Sequence, residues 1–148
     1  MIESAKEVSA DTIMKELKTN GNKLSVWQAF TDEDIEKIIL ALASNVDNIS
    51  SMDIVKIKDE DIKTMNKDDS IGITPVEFIN DKHTDLTDIN YESLGILIEG
   101  ILNGLKNDCV VHKTKKEIKN ILVNALKSGE LDITKISENL RNKIENNV

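Results

Sequence analysis

Apolar positions recur at helical spacing along most of the chain. The longest such stretch is 90–107, reading NYESLGILIEGILNGLKN, where Tyr91, Leu94, Ile98, Ile101, Leu102 and Leu105 share a face that Ile96 and Leu97 widen. Glu99 is the only charge between Gly95 and Leu105, so the pattern predicts a helix covered on most of its sides. Its glycines, Gly95, Gly100 and Gly104, each cost roughly 1 kcal/mol of helix stability relative to alanine, which a packing gain must offset. Gly100 and Gly104 lie one turn apart and would admit a close neighbour, from this chain or from a second copy. A buried strand at 94–98 is the rival reading, and the continuing periodicity favours helix.

Cap signals divide the rest of the chain into further helices. Ser9 opens one that carries Ala10, Ile13, Met14 and Leu17 inward and stops at Asn20-Gly21. Leu24, Trp27 and Phe30 form an apolar turn or short helix. Thr31 opens the next helix, with Asp32, Glu33 and Asp34 in the first turn, where carboxylates favour the dipole, and Ile35, Ile38, Ile39 and Leu42 on one face. Ser50 with Asp53 reads as the cap of a short helix carrying Met52, Val55 and Ile57. Asp59-Glu60-Asp61 opens a second short turn carrying Ile62 and Met65, and 66–74 is a loop.

Thr74-Pro75-Val76-Glu77 places a cap residue, a first-turn proline and a glutamate at the start of another short helix. Residues 80–90 read as polar loop apart from Leu86 and Ile89, and 109–111 as an extended connector. Thr114 with Glu117 opens a helix with Ile118, Ile121, Leu122, Ala125 and Leu126 inward, closed by Ser128-Gly129. Asp132 or Thr134 caps a last helix with Ile133, Ile136, Leu140 and Ile144 as its stripe. Together these elements predict one all-α domain over 1–148. It is a compact bundle of about six or seven helices around the central apolar helix 90–107, ending in a helical hairpin at 114–146.

Composition agrees with a helical reading. One proline, six glycines and 3% aromatic residues leave little material for a turn-rich all-β fold. No apolar run approaches the ~20 residues of a membrane span, and the opening residues lack the basic-then-apolar layout of a signal peptide. The single cysteine, Cys109, has no internal disulfide partner and suits a reducing, cytoplasmic interior. An abundance of Asn, Ile, Lys and Asp suits an AT-rich genome, such as that of a low-GC bacterium, its phages or a large virus. The net charge of −8 is uneven. Residues 1–108 hold 22 Asp/Glu against 11 Lys, a balance of −11, and 109–148 hold 5 against 8 Lys/Arg, a balance of +3.

Candidate chemistry is sparse. From Asn66 to Glu77 the chain resembles a calcium-binding EF-hand loop, with Asn66, Asp68 and Ser70 at the first, third and fifth places, Ile73 at the eighth and Glu77 at the twelfth. It departs from that family at the sixth place, where Ile71 stands for the turn glycine, and at the first, where the ligand is neutral. The resemblance implies a degenerate calcium module as one alternative; with Ile71 in that place, no metal is expected. Cys109 and His112 have the spacing of half a zinc site or of a nucleophile pair, and neither the other half nor an orienting third group is present. There is no phosphate-cradling glycine loop and no hydrolase or metalloprotease motif, so neither catalytic residues nor a cofactor are expected.

What remains is binding. The expected function is a non-enzymatic acidic interaction protein, an inhibitor, an immunity or anti-defence factor or an assembly adaptor of phage or mobile-element type. Its acidic face comprises Asp32, Glu33, Glu36, Asp59, Asp61, Asp68 and Asp69 and would steer a protein partner with a basic surface. Self-association stays open. The competing reading is a nucleic-acid-binding regulator in which Lys135, Asn139, Arg141 and Lys143 lie on a reading helix. An acidic body of −11 repels phosphate and disfavours it.

Overall fold

The structure is a computed structural model, and it describes Ser9, Asp11, Lys15 and residues 17–146. Among the described residues the fold is mixed α/β, with two antiparallel sheets and four complete helices, which overturns the all-α bundle. The elements run β1 (Leu24–Trp27), α1 (Asp32–Ser44), β2 (Met52–Val55), β3 (Asn66–Asp68), β4 (His83–Thr87), α2 (Tyr91–Lys106), β5 (Val110–Lys113), α3 (Lys115–Ser128) and α4 (Glu138–Glu145). Short 3-10 turns lie at Asp59–Ile62, Glu77–Lys82 and Ile133–Lys135. Strand order is β1-β4-β3 in one sheet and β2-β5 in the other. Contacts gather the described chain into two compact units, one of 17–26, 53–69 and 85–112 and one of 27–52, 70–84 and 113–146.

The first unit contains nearly all the strand that the periodicity missed. Gly21 and Asn22 both have positive φ, 60° and 57°, and Asn20 and Lys23 exchange backbone hydrogen bonds of 3.1 and 3.2 Å around them. That is a two-residue hairpin turn, for which Gly-Asn is a recognised signal, and not a helix stop. Asp11 and Lys15 are helical and exposed; Ala10, Ile13 and Met14 of the proposed first helix lie outside the described residues. β2 replaces the helix expected from Ser50, while Asp59–Ile62 is the short turn expected, with Ile62 and Met65 buried. β4 replaces a polar loop. Its burial alternates, with Thr84 and Leu86 inside and His83, Asp85 and Thr87 half-buried. The polar Thr84 at an inward position hid the period of two.

α2 forms where its periodicity placed it, capped by reciprocal bonds between Asn90 and Ser93. Its surroundings differ from the expectation. Only Leu97, Gly100, Gly104 and Leu105 are buried, and Tyr91 is 97% exposed. Leu97 joins Ile62, Met65, Leu86 and Ile89 in the unit's core. Gly104 receives this chain's own backbone and Gly100 its side chains, while Gly95 faces open space. A Cβ on Gly104 would lie 2.7 Å from the Lys56 carbonyl oxygen, and one on Gly100 3.0 Å from a methyl of Ile57.

The second unit is the helical one. α1 opens with a capping box in which the Thr31 hydroxyl accepts from Asp34 N–H at 3.1 Å and the Asp34 carboxylate accepts from Thr31 N–H at 3.1 Å. It then buries Ile35, Ile38, Ile39, Leu40, Ala41, Ala43 and Ser44 and packs mainly on α3. α3 opens with the expected box of Thr114 and Glu117, buries Ile118, Leu122 and Ala125, and ends at Gly129 with φ 80°. Side chains as enclosed as Ile39, Leu122 and Leu140, each at 0% exposure, contribute about 1.5–3 kcal/mol apiece by leaving water. The last helix starts later than either proposed cap. Asp132 caps the Ile133–Lys135 turn, and Ser137 caps α4 by accepting from Leu140 N–H.

Candidate interaction surfaces

The expected acidic face is divided between the two units. In the first, Asp59 is taken up by Lys67. Asp61 lines a polar groove of about 290 Å³ with Glu60, Lys63, Thr64, Glu99 and Asn103. Asp68 is exposed on β3, directly opposite Asp85 of β4 in the ladder, an arrangement of like charges that costs stability. Asp69 is exposed as well. In the second unit, Glu36 pairs with Lys113 at 2.8 Å, and the pair raises the Lys113 ammonium above its usual range. Asp32 and Glu33 stand exposed on the first turn of α1 with no ion pair among the described residues. The neighbouring Asp34 is held below the usual carboxylate range by the Phe30 N–H, with Thr31 and Lys82 adding to the effect.

The proposed reading helix has its polar residues engaged inside its own unit. Lys135 pairs with Glu77 at 2.6 Å. Arg141 turns back to donate to the Ile133 carbonyl at 3.0 Å. Lys143 reaches the Asn48 side chain and the Asp47 carbonyl. Of the four, only Asn139 is exposed without such a contact. The EF-hand-like positions are likewise occupied one by one, Asn66 by Asp88, Ser70 by His83 and Glu77 by Lys135. Asn66 and Asp68 belong to a strand, where the EF-hand pattern needs a loop. Among the described residues, no three His, Cys, Asp or Glu side chains are placed to hold a metal ion.

Two histidines lie close to groups that suggest catalysis. His112 Nδ1 is 2.6 Å from Asp53 Oδ1, while the Cys109 thiol turns to the Asn107 carbonyl, so the two members of the proposed nucleophile pair have different partners. His83 Nδ1 is 3.0 Å from Ser70 Oγ but also 2.9 Å from the Ser70 carbonyl oxygen. A carbonyl only accepts, so Nδ1 carries the proton and is not the base that would activate the hydroxyl. The ring stands edge-on to Trp27 at 5.2 Å. The role of the contact is to fix the loop.

Residues 70–84, which the sequence presents as the end of an EF-hand-like stretch and the capped start of a short helix, form a pinned loop with a 3-10 turn at Glu77–Lys82. Gly72 N–H donates to the Asn80 carbonyl at 2.8 Å, and the Thr74 hydroxyl donates to Asn80 Oδ1 at 2.6 Å. Gly72 is buried against Trp27, where a Cβ would lie 2.7 Å from the indole. Neighbours of an inward residue in extended chain point outward, and Ile71 and Ile73 are 79% and 90% exposed. Phe78, in the same loop, and Phe30 are exposed as well, with Lys37 5.8 Å from the Phe78 ring centre and Lys82 5.1 Å from that of Phe30. The available signal was Ile-Gly-Ile in a stretch without secondary-structure periodicity.

No family model matches this chain, and neither a curated protein nor a solved structure is detectably similar to it. No helix among the described residues is long and apolar enough to cross a membrane.

Proposed function

We propose that this chain is a non-enzymatic interaction protein of the cytoplasm that binds a protein partner with a basic surface. One contrast supports the reading. Asp32 and Glu33 of the acidic set are exposed without an ion pair among the described residues, while Lys135, Arg141 and Lys143 of the basic set are already bonded within the chain. The charge left uncompensated is negative, as the net −8 also requires, and it steers cations rather than phosphates. An inhibitor, an immunity or anti-defence factor and an assembly adaptor all work in this way.

Association with a basic protein is tested by stopped-flow at rising salt. The rate should fall steeply as the Debye length shrinks from about 30 Å at 0.01 M to about 8 Å at 0.15 M. Asp32→Lys with Glu33→Lys should slow it further while the helical signal survives. Tight, Arg141-dependent DNA binding by the unaltered chain would replace this reading with the nucleic-acid one.

A further inference from the structure

We propose that the 70–84 loop and Phe30 form the docking surface, and that the partner segment it fits has an apolar centre inside a ring of lysine and arginine. The inference rests on the basic-protein reading above and assigns where and by what chemistry that partner is held.

Ile71, Ile73, Phe30 and Phe78 are all more than half exposed, at 79%, 90%, 78% and 55%. Their exposure is built in. Ser70 and His83 close the base of the loop, the bond from Gly72 to Asn80 crosses it, and the Thr74 and Asn80 side chains pin its tip. With Gly72 seated on the indole, no turn of the backbone hides the two isoleucines without unseating the glycine. A rigid loop that holds large apolar side chains in water gains nothing for folding and marks a binding surface.

The charges around it choose the partner. Lys37, beside Phe78, is neutralised by Glu130 at 2.6 Å, and Lys82, beside Phe30, faces the Asp34 carboxylate. Asp81 lies one 3-10 turn from Phe78 and therefore on the same side of the Glu77–Lys82 turn. Asp32 and Glu33 follow Phe30 in the chain after the capping Thr31. These three exposed carboxylates leave a negative rim with its nearby cations already engaged. A second copy docked about a two-fold axis would bring the same anionic rim against itself, and phosphate-rich surfaces would be repelled. A basic, apolar-centred protein segment satisfies both features.

The test uses the full chain and four labelled peptides of equal length in fluorescence anisotropy. One is basic with aromatic and aliphatic residues, one basic with serine in their place, one acidic and apolar, and one neutral and apolar. The basic apolar peptide should bind best, and Ile71→Ser with Ile73→Ser should weaken it about tenfold or more, the size expected when two aliphatic side chains lose burial. Circular dichroism and the melting temperature should stay unchanged; should the loop variant melt early, Phe30→Ser, distant in sequence, repeats the measurement.

Basic peptides that bind equally with or without apolar residues, and ignore Ile71 and Ile73, would overturn this docking surface and leave the basic-partner reading standing. Failure of both basic peptides would remove the two together. Sedimentation showing a dimer that Ile71→Ser with Ile73→Ser dissolves would assign the surface to a second copy and overturn the proposal. DNA binding lost in the same variant would do so too.

Discussion

α1 and α2 read almost alike as apolar helices, yet they end in different surroundings. Seven of the thirteen residues of α1 are buried, against four of the sixteen of α2. α2 has the longer apolar run, so hydrophobicity does not set the order. What differs is the neighbourhood. α1 lies among other helices of its unit, and its Ala41, Ala43 and Ser44 are small enough to be covered where larger side chains would stand off. α2 belongs to a unit whose strands are 3 to 5 residues long. The helix lies chiefly on the four-residue Asp59–Ile62 turn, which covers one stripe of it and no more. An apolar helix announces that it will pack, and its neighbours decide how far.

Core truncation tests this contrast with the largest expected effect. Leu122→Ala and Ile39→Ala, at positions 0% exposed, should each cost about 2–5 kcal/mol in urea unfolding. Ile98→Ala and Leu102→Ala, half-buried on α2, should cost clearly less. Equal losses would mean that α2 is as enclosed as α1.

The glycines of α2 give an effect of intermediate size and should separate by sign. Gly104→Ala, which sets a methyl against the Lys56 backbone, should lose about 1–3 kcal/mol. Gly100→Ala meets the end of the Ile57 side chain and should lose less. Gly95→Ala meets nothing within 4 Å and should gain up to about 1 kcal/mol from helix propensity. A neutral Gly104→Ala would show that 56 and 104 are not in close contact.

The smallest effect is with pH, and it belongs to the caps of the helical unit. Asp34 is held below the usual range chiefly by the Phe30 N–H, and Asp132 by the Thr134 side chain and N–H. A lowered folded-state value means that the folded chain favours the charged form. The contribution is therefore present above the ordinary Asp value of about 4 and is lost as pH falls through the lowered one. Melting temperature should hold steady from pH 8 to 5 on this account and fall below about pH 4. Asp34→Ala should melt lower at pH 7 and lose less on acidification. An unchanged acid limb in that variant would place the effect elsewhere.

The helical unit was largely legible in the sequence because its signals are local. Thr31 with Asp34, Thr114 with Glu117 and the closing Gly129 act within one turn, and the i, i+3, i+4 stripes of α1 and α3 need only a second helix to lie on. The strands were not legible, because β2, β3 and β5 are stabilised by partners distant in sequence, and three or four residues are too few to show a period of two. The hairpin turn at Gly21-Asn22 was the exception, a local signal that the preceding helical pattern overrode.

The candidate surfaces divide in the same way. The excess of negative charge belongs to the sequence alone, and the exposure of Asp32 and Glu33 follows from their place in a first helical turn. Which lysines are neutralised, and that Ile71 and Ile73 stand in water because Gly72 is seated on Trp27, depends on contacts across dozens of residues. Local propensity and charge are properties of a segment; coverage is a property of its neighbours, and only the tertiary structure supplies those.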